Sequence, residues 1–119
     1  MVSVAKSIGD IETDNRRAGE FFFSPGAMKG FRSIVYPETF DAGAEVTLFV
    51  SSEKPPYAPR DFTIQISHAN GRIDKLDRRG AFRTKAKAVK VATQVALWWR
   101  TDTGPEGEAL DTWLAEQSN

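Results

Sequence analysis

Between Arg78 and Lys90 the chain carries Arg78, Arg79, Arg83, Lys85, Lys87 and Lys90 and no acidic residue. Clustered guanidinium and ammonium groups grip anions: nucleic-acid phosphates, in a manner indifferent to sequence, or carboxylates on a protein. The same residues opposite an apolar helix face are also its ordinary solvated side. Their position near a helix start favours a binding role, because cations there oppose the helix dipole whereas an anion would be held by both.

Other chemistry is thinly represented. General acid–base catalysis uses a histidine or paired carboxylates in a cleft. His68 is the single histidine and lies beside a turn, while the pairs Asp74/Asp77, Glu106/Glu108 and Glu12/Asp14 fall on polar segments with no nucleophile nearby. The absence of cysteine excludes disulfides and thiolate chemistry, and one histidine excludes a multi-histidine metal site. Gly26-Ala27-Met28-Lys29-Gly30 lacks the spacing of a phosphate loop. We therefore expect no enzyme activity, no cofactor and no metal. Phe21-Phe22-Phe23 and Trp98-Trp99 offer stacking platforms, although aromatic residues at such spacings usually fill a core.

The elements that must position these groups follow from periodicity. Residues 1–19 are polar and are expected to form an arm or a short edge strand. Glu20–Phe23 suggests a strand, stopped by Ser24-Pro25 at the start of a helix to about Val35. On a helical wheel Ala27, Met28, Phe31, Ile34 and Val35 share one arc, and Pro37 would end the helix. Strands are predicted at Glu45–Ser51, Asp61–Ser67 and Arg72–Arg78, with a stiff proline-rich loop after the first. Asn70-Gly71 marks the hairpin. A two-residue turn would place Ile73 on the face of Phe62, Ile64 and Ile66; a three-residue turn would place Leu76 there.

Thr84 is a plausible N-cap for a helix to about Arg100, with Ala88, Val91, Ala92, Val95, Ala96, Trp98 and Trp99 on its apolar face. After Gly104-Pro105 a short helix gathers Ala109, Leu110, Trp113 and Leu114 on one side and acidic residues on the other. Leu110, Trp113 and Leu114 form an alternative partner-binding edge.

With 119 residues, 40 % of them hydrophobic, the chain suits a single α+β domain. The expected architecture is a three- to four-stranded antiparallel sheet with two helices packed on one face, β-α-β-β-β-α, plus a short acidic C-terminal helix. Residues 1–19 would be the arm, 20–100 the domain, and 101–119 the acidic helix and tail. No apolar run is long enough for a membrane span, so a cytoplasmic protein is expected. The zero net charge hides segregation: residues 1–59 hold six basic and eight acidic side chains, 60–100 ten and three, and 101–119 none and five. Glu106, Glu108, Asp111 and Glu116 are thus expected to lie near Arg83, Lys87 and Lys90 and cover that surface.

Two resemblances bear on function. In order, Phe21-Phe22-Phe23-Ser24-Pro25-Gly26-Ala27-Met28-Lys29, Phe49-Val50-Ser51-Ser52-Glu53, Pro59-Arg60-Asp61-Phe62-Thr63-Ile64 and the helix start at Phe82–Ala92 resemble small uncharacterised proteins encoded by bacteriophages of actinobacteria. The resemblance implies an accessory phage protein in the host cytoplasm that grips a host protein or a nucleic acid. The element order is also similar to that of double-stranded-RNA-binding domains, with Thr84-Lys85-Ala86-Lys87-Ala88 at the lysine-rich helix start and Val89 where a further lysine would be wanted. The expected function is a non-enzymatic interaction module for a host protein, with RNA or DNA binding by the basic surface as the alternative and homodimerisation open.

Overall fold

In the computed structural model, which describes residues 5–30, 32–76 and 82–117, four helices and four strands follow one another. They are α1 (Ile8–Arg17), α2 (Pro25–Gly30), β1 (Ile34–Asp41), β2 (Thr47–Glu53), β3 (Asp61–Ser67), β4 (Ile73–Lys75), α3 (Lys85–Arg100) and α4 (Gly107–Gln117). The strands form one antiparallel sheet in the order β1-β2-β3-β4, so the α+β class and the four-stranded sheet are as expected.

Alternation along β2 and β3 divides the sheet into two chemically different faces. Leu48 pairs with Ile66 and Val50 with Ile64. Ala88, Val91, Ala92, Val95 and Ala96 of α3 bury this apolar face, joined by Phe82 and Leu114. Three alanines among the five α3 residues let the helix backbone approach closely. On the reverse face Thr47 pairs with Ser67 and Phe49 with Gln65, and all four are buried. Phe22 stands edge-on to Phe49 at 5.8 Å, the Lys6 N–H donates to Thr47 Oγ1, and α1 contributes buried Ile11 and Asn15 on this side. Helices α3 and α4 thus pack together on the apolar face, and α1 adds a helix on the reverse side, beyond the two helices on one face that were expected.

Helix α1 replaces the anticipated arm or edge strand. Ser7 caps it by accepting from the Asp10 N–H, Asp10 lies in its first turn, and Arg16 and Arg17 in its last complement the dipole. Glu20–Phe23 is not a strand: Phe21 is 77 % exposed, and Phe22 packs on Phe23 as well as Phe49. The helix expected to reach Val35 ends at Gly30, and Ile34 begins β1. Ile34, Val35, Tyr36, Thr39 and Phe40 are strand formers, and Pro37 is tolerated because β1 is an edge strand whose register shifts between Val35 and Thr39.

The hairpin has the longer turn. His68 N donates to the Arg72 carbonyl and Ser67 pairs with Ile73, enclosing Ala69, Asn70 and Gly71, with Gly71 at φ +91°. Leu76 consequently joins the apolar face, its N–H donating to the Ile64 carbonyl. The expected third strand, Arg72–Arg78, is reduced to β4, and its end lies outside the described residues. Phe82 then bridges back to Phe62 through two backbone hydrogen bonds of 2.7 and 2.8 Å. No helix among the described residues is long and apolar enough to cross a membrane.

Candidate binding surface at the start of helix α3

Thr84 begins α3 as expected, its side chain accepting from the Lys87 N–H at 3.2 Å. No acidic residue occupies the first turn, so nothing on this helix offsets Lys85 and Lys87 against the dipole. The offset for Lys85 comes from β1. Lys85 Nζ donates to Glu38 Oε1 at 2.8 Å and stands 4.6 Å from the centre of the Tyr36 ring. The hydrogen bond from Lys85 chiefly, with one from the backbone of Glu38 itself, holds the Glu38 carboxyl below the usual carboxylate range.

The remaining cations differ in their surroundings. Lys87 Nζ reaches the neutral amide oxygen of Gln117 at 3.4 Å. Arg83 and Lys90 are exposed and have no ion-pair or hydrogen-bond partner among the described residues. Lys87 and Lys90, three residues apart, share one side of the helix. Arg78 and Arg79 lie outside the described residues.

Helix α4 runs beside α3 in the opposite direction, with Gln117 near Lys87 and Glu106 near Trp98 and Trp99. Glu106 and Glu108 thus stand at the far end of α3 from the lysines. No ion pair joins Glu106, Glu108, Asp111 or Glu116 to Arg83, Lys87 or Lys90 among the described residues, although Glu116 adjoins Gln117, whose amide meets Lys87. Apolar packing fixes α4 instead. Leu114 is fully buried in the core, Leu110 packs against it, and Trp113 meets Trp98 edge to face at 4.8 Å. The alternative partner edge is largely consumed by this packing.

Elsewhere, His68 Nε2 lies 2.9 Å from Asp74 Oδ2, and Arg72 binds the other carboxylate oxygen of Asp74, so these groups clasp the hairpin. Among the described residues no group of three or more His, Asp or Glu side chains could hold a metal ion. Two features escaped sequence reasoning. Tyr36 and Glu38 fell between the helix expected to about Val35 and the strand expected from Glu45, although the strand-forming Val35-Tyr36 and Thr39-Phe40 pairs were a signal. Tyr57 projects fully exposed at φ +61° from the proline-rich loop, whose Pro55 and Ala58 carbonyls both accept from Lys54 Nζ.

A protein-family model described as a family of unknown function, DUF7447, matches residues 7–93. The matched span holds the whole sheet and Arg83, Lys85, Lys87 and Lys90, and stops before α4. No curated protein and no solved structure is significantly similar to the chain.

Proposed function

We propose, since the chain belongs to DUF7447, a family without an assigned function, that it is a non-enzymatic module binding another protein through the start of α3, at Lys87 and Lys90 together with Arg83 just before its N-cap. The observation that carries this reading is the placement of the acidic helix α4 antiparallel beside α3, with Gln117 at Lys87 and Glu106 at the far end. A long polyanion laid along α3 would also meet the α4 carboxylates. A protein surface of limited extent can match adjacent positive and negative strips. The resemblance to phage-encoded proteins makes a bacterial host protein the favoured partner.

A second reading, nucleic-acid binding, draws support from Arg83 and Lys90, which lack partners among the described residues. A three-cation contact would give a log–log salt slope of about −3.

A pull-down from bacterial lysate, with and without nuclease, separates the two. The protein-binding reading expects a defined partner that survives nuclease and is lost with R83A/K87A/K90A. Loss of the captured material on nuclease treatment alone would overturn it in favour of nucleic acid. Capture indifferent to the triple substitution would show that this surface is not the one used.

A further inference from the structure

The opposite end of α3 carries a second feature, made by the turn into α4. A cleft of about 300 Å³ opens there between Trp98, Trp99, Asp102, Thr103, Glu106 and Leu110. Its geometry is tightly fixed. Thr101 Oγ1 donates to the Leu97 carbonyl at 2.8 Å and lies 2.7 Å from Thr103 Oγ1, and the Thr103 N–H donates to the Trp98 carbonyl at 2.8 Å. Gly104, at φ +86°, is laid so close on Trp98 that an added Cβ would stand 2.4 Å from the indole. Trp113 braces the Trp98 ring from another side. Asp102 adopts φ +54°, a left-handed conformation that aspartate tolerates better than most residues.

The lining has one electrostatic sense. Indole faces attract cations through the ring quadrupole, and carboxylates attract them directly. Asp102 and Glu106 have no side-chain hydrogen bond or ion pair among the described residues. Among the described residues no lysine, arginine or histidine lines the cleft to neutralise them. Anions are therefore disfavoured where two aromatic side chains and two unpaired carboxylates converge.

We propose that this cleft binds an organic cation, an alkylammonium or guanidinium group of the kind a lysine or arginine side chain presents. The site is separate from Arg83, Lys87 and Lys90 and does not depend on what they bind.

The test follows the tryptophan indole N–H signals of the full chain by NMR. Tetramethylammonium chloride, N-acetyl-lysine methylamide and N-acetyl-arginine methylamide are titrated in turn, with sodium chloride as the ionic-strength control. Saturable shifts at Trp98 and Trp99 are expected, with affinity weakened at least about tenfold in D102N/E106Q and unchanged in K87A/K90A. Asparagine tolerates the left-handed conformation at 102, so the double variant retains the fold, which its thermal melt verifies. Saturation by the amino-acid amides alone assigns the site to hydrogen-bonding side chains; saturation by tetramethylammonium as well assigns it to organic cations generally. Shifts that sodium chloride reproduces, that fail to saturate, or that persist in D102N/E106Q would overturn the proposal.

Discussion

Asn15 donates from Nδ2 to the Gly71 carbonyl at 2.9 Å, tying α1 to the hairpin across 56 positions of sequence. Asn15 is 1 % exposed, and its Oδ1 has no hydrogen-bond partner among the described residues. Asn15→Ala would strip the Gly71 carbonyl of this donor but also remove the unpartnered oxygen, so the expected loss is about 1 kcal/mol. Asn15→Asp should cost more, because it turns a charged acceptor toward that carbonyl. Urea unfolding of both variants checks the order, and an aspartate variant as stable as the alanine variant would contradict it.

Gly71 answers two demands at once. Its φ of +91° suits a residue without a side chain, and an added Cβ would stand 2.2 Å from the Asp14 carbonyl oxygen. Because the obstruction is backbone, it cannot swing aside as a side-chain tip would. Gly71→Ala should therefore destabilise by more than about 2 kcal/mol. Gly19→Ala is the control for conformation alone, since Gly19 has φ +76° and open space around it. Equal losses at the two positions would show that the contact with α1 is immaterial.

Helix α3 was legible because two independent signals agreed: a threonine that caps it and an apolar arc whose Ala88, Val91, Ala92, Val95 and Ala96 are all buried. The alternation of β2 and β3 was equally clear. At β1 the signals conflicted, since Ile34 and Val35 fit a helical arc as well as a strand. Arg32 at φ +49° and the Ser33 N–H bonded to the Met28 carbonyl end the helix early, and neither is visible in composition. Helix α1 was illegible for a different reason. It buries only Ile11 and Asn15, too little for a hydrophobic stripe, and closes a sheet face built largely of Thr, Ser and Gln. At the candidate surface the sequence identified the cations, but the tertiary partner of Lys85 and the direction of α4 depend on strand and helix packing.

The Glu38–Lys85 pair predicts a contribution to acid stability. The folded-state value of Glu38 lies below the ordinary 4.5. Its stabilising contribution is therefore fully present above that ordinary value and is lost as pH falls through the lowered folded value. Glu38→Gln should flatten the stability profile in this acid window, with Lys85→Met removing the same pH dependence. Stability measured by chemical denaturation from neutral pH downward provides the check. An unchanged acid slope in Glu38→Gln would mean that the pair does not persist in solution.

The proposed partner binding by α3 must be separated from the packing of α4 beside it. Leu114 is fully buried, and Leu114→Ala is expected to cost about 2–5 kcal/mol. Trp113→Ala would remove the edge-to-face contact with Trp98 and loosen the same helix. A loss of binding in either variant would thus report the state of the fold as much as the surface. Lys90 is exposed and, among the described residues, Lys87 meets only a neutral amide at 3.4 Å, so K87A/K90A should change stability by less than about 1 kcal/mol. Parallel measurements of unfolding and capture decide the matter: binding lost with stability retained in K87A/K90A places the partner on α3. Binding retained in K87A/K90A but lost in Trp113→Ala at temperatures where that variant remains folded would move the partner from α3 to α4 and the Trp98 ring that Trp113 braces.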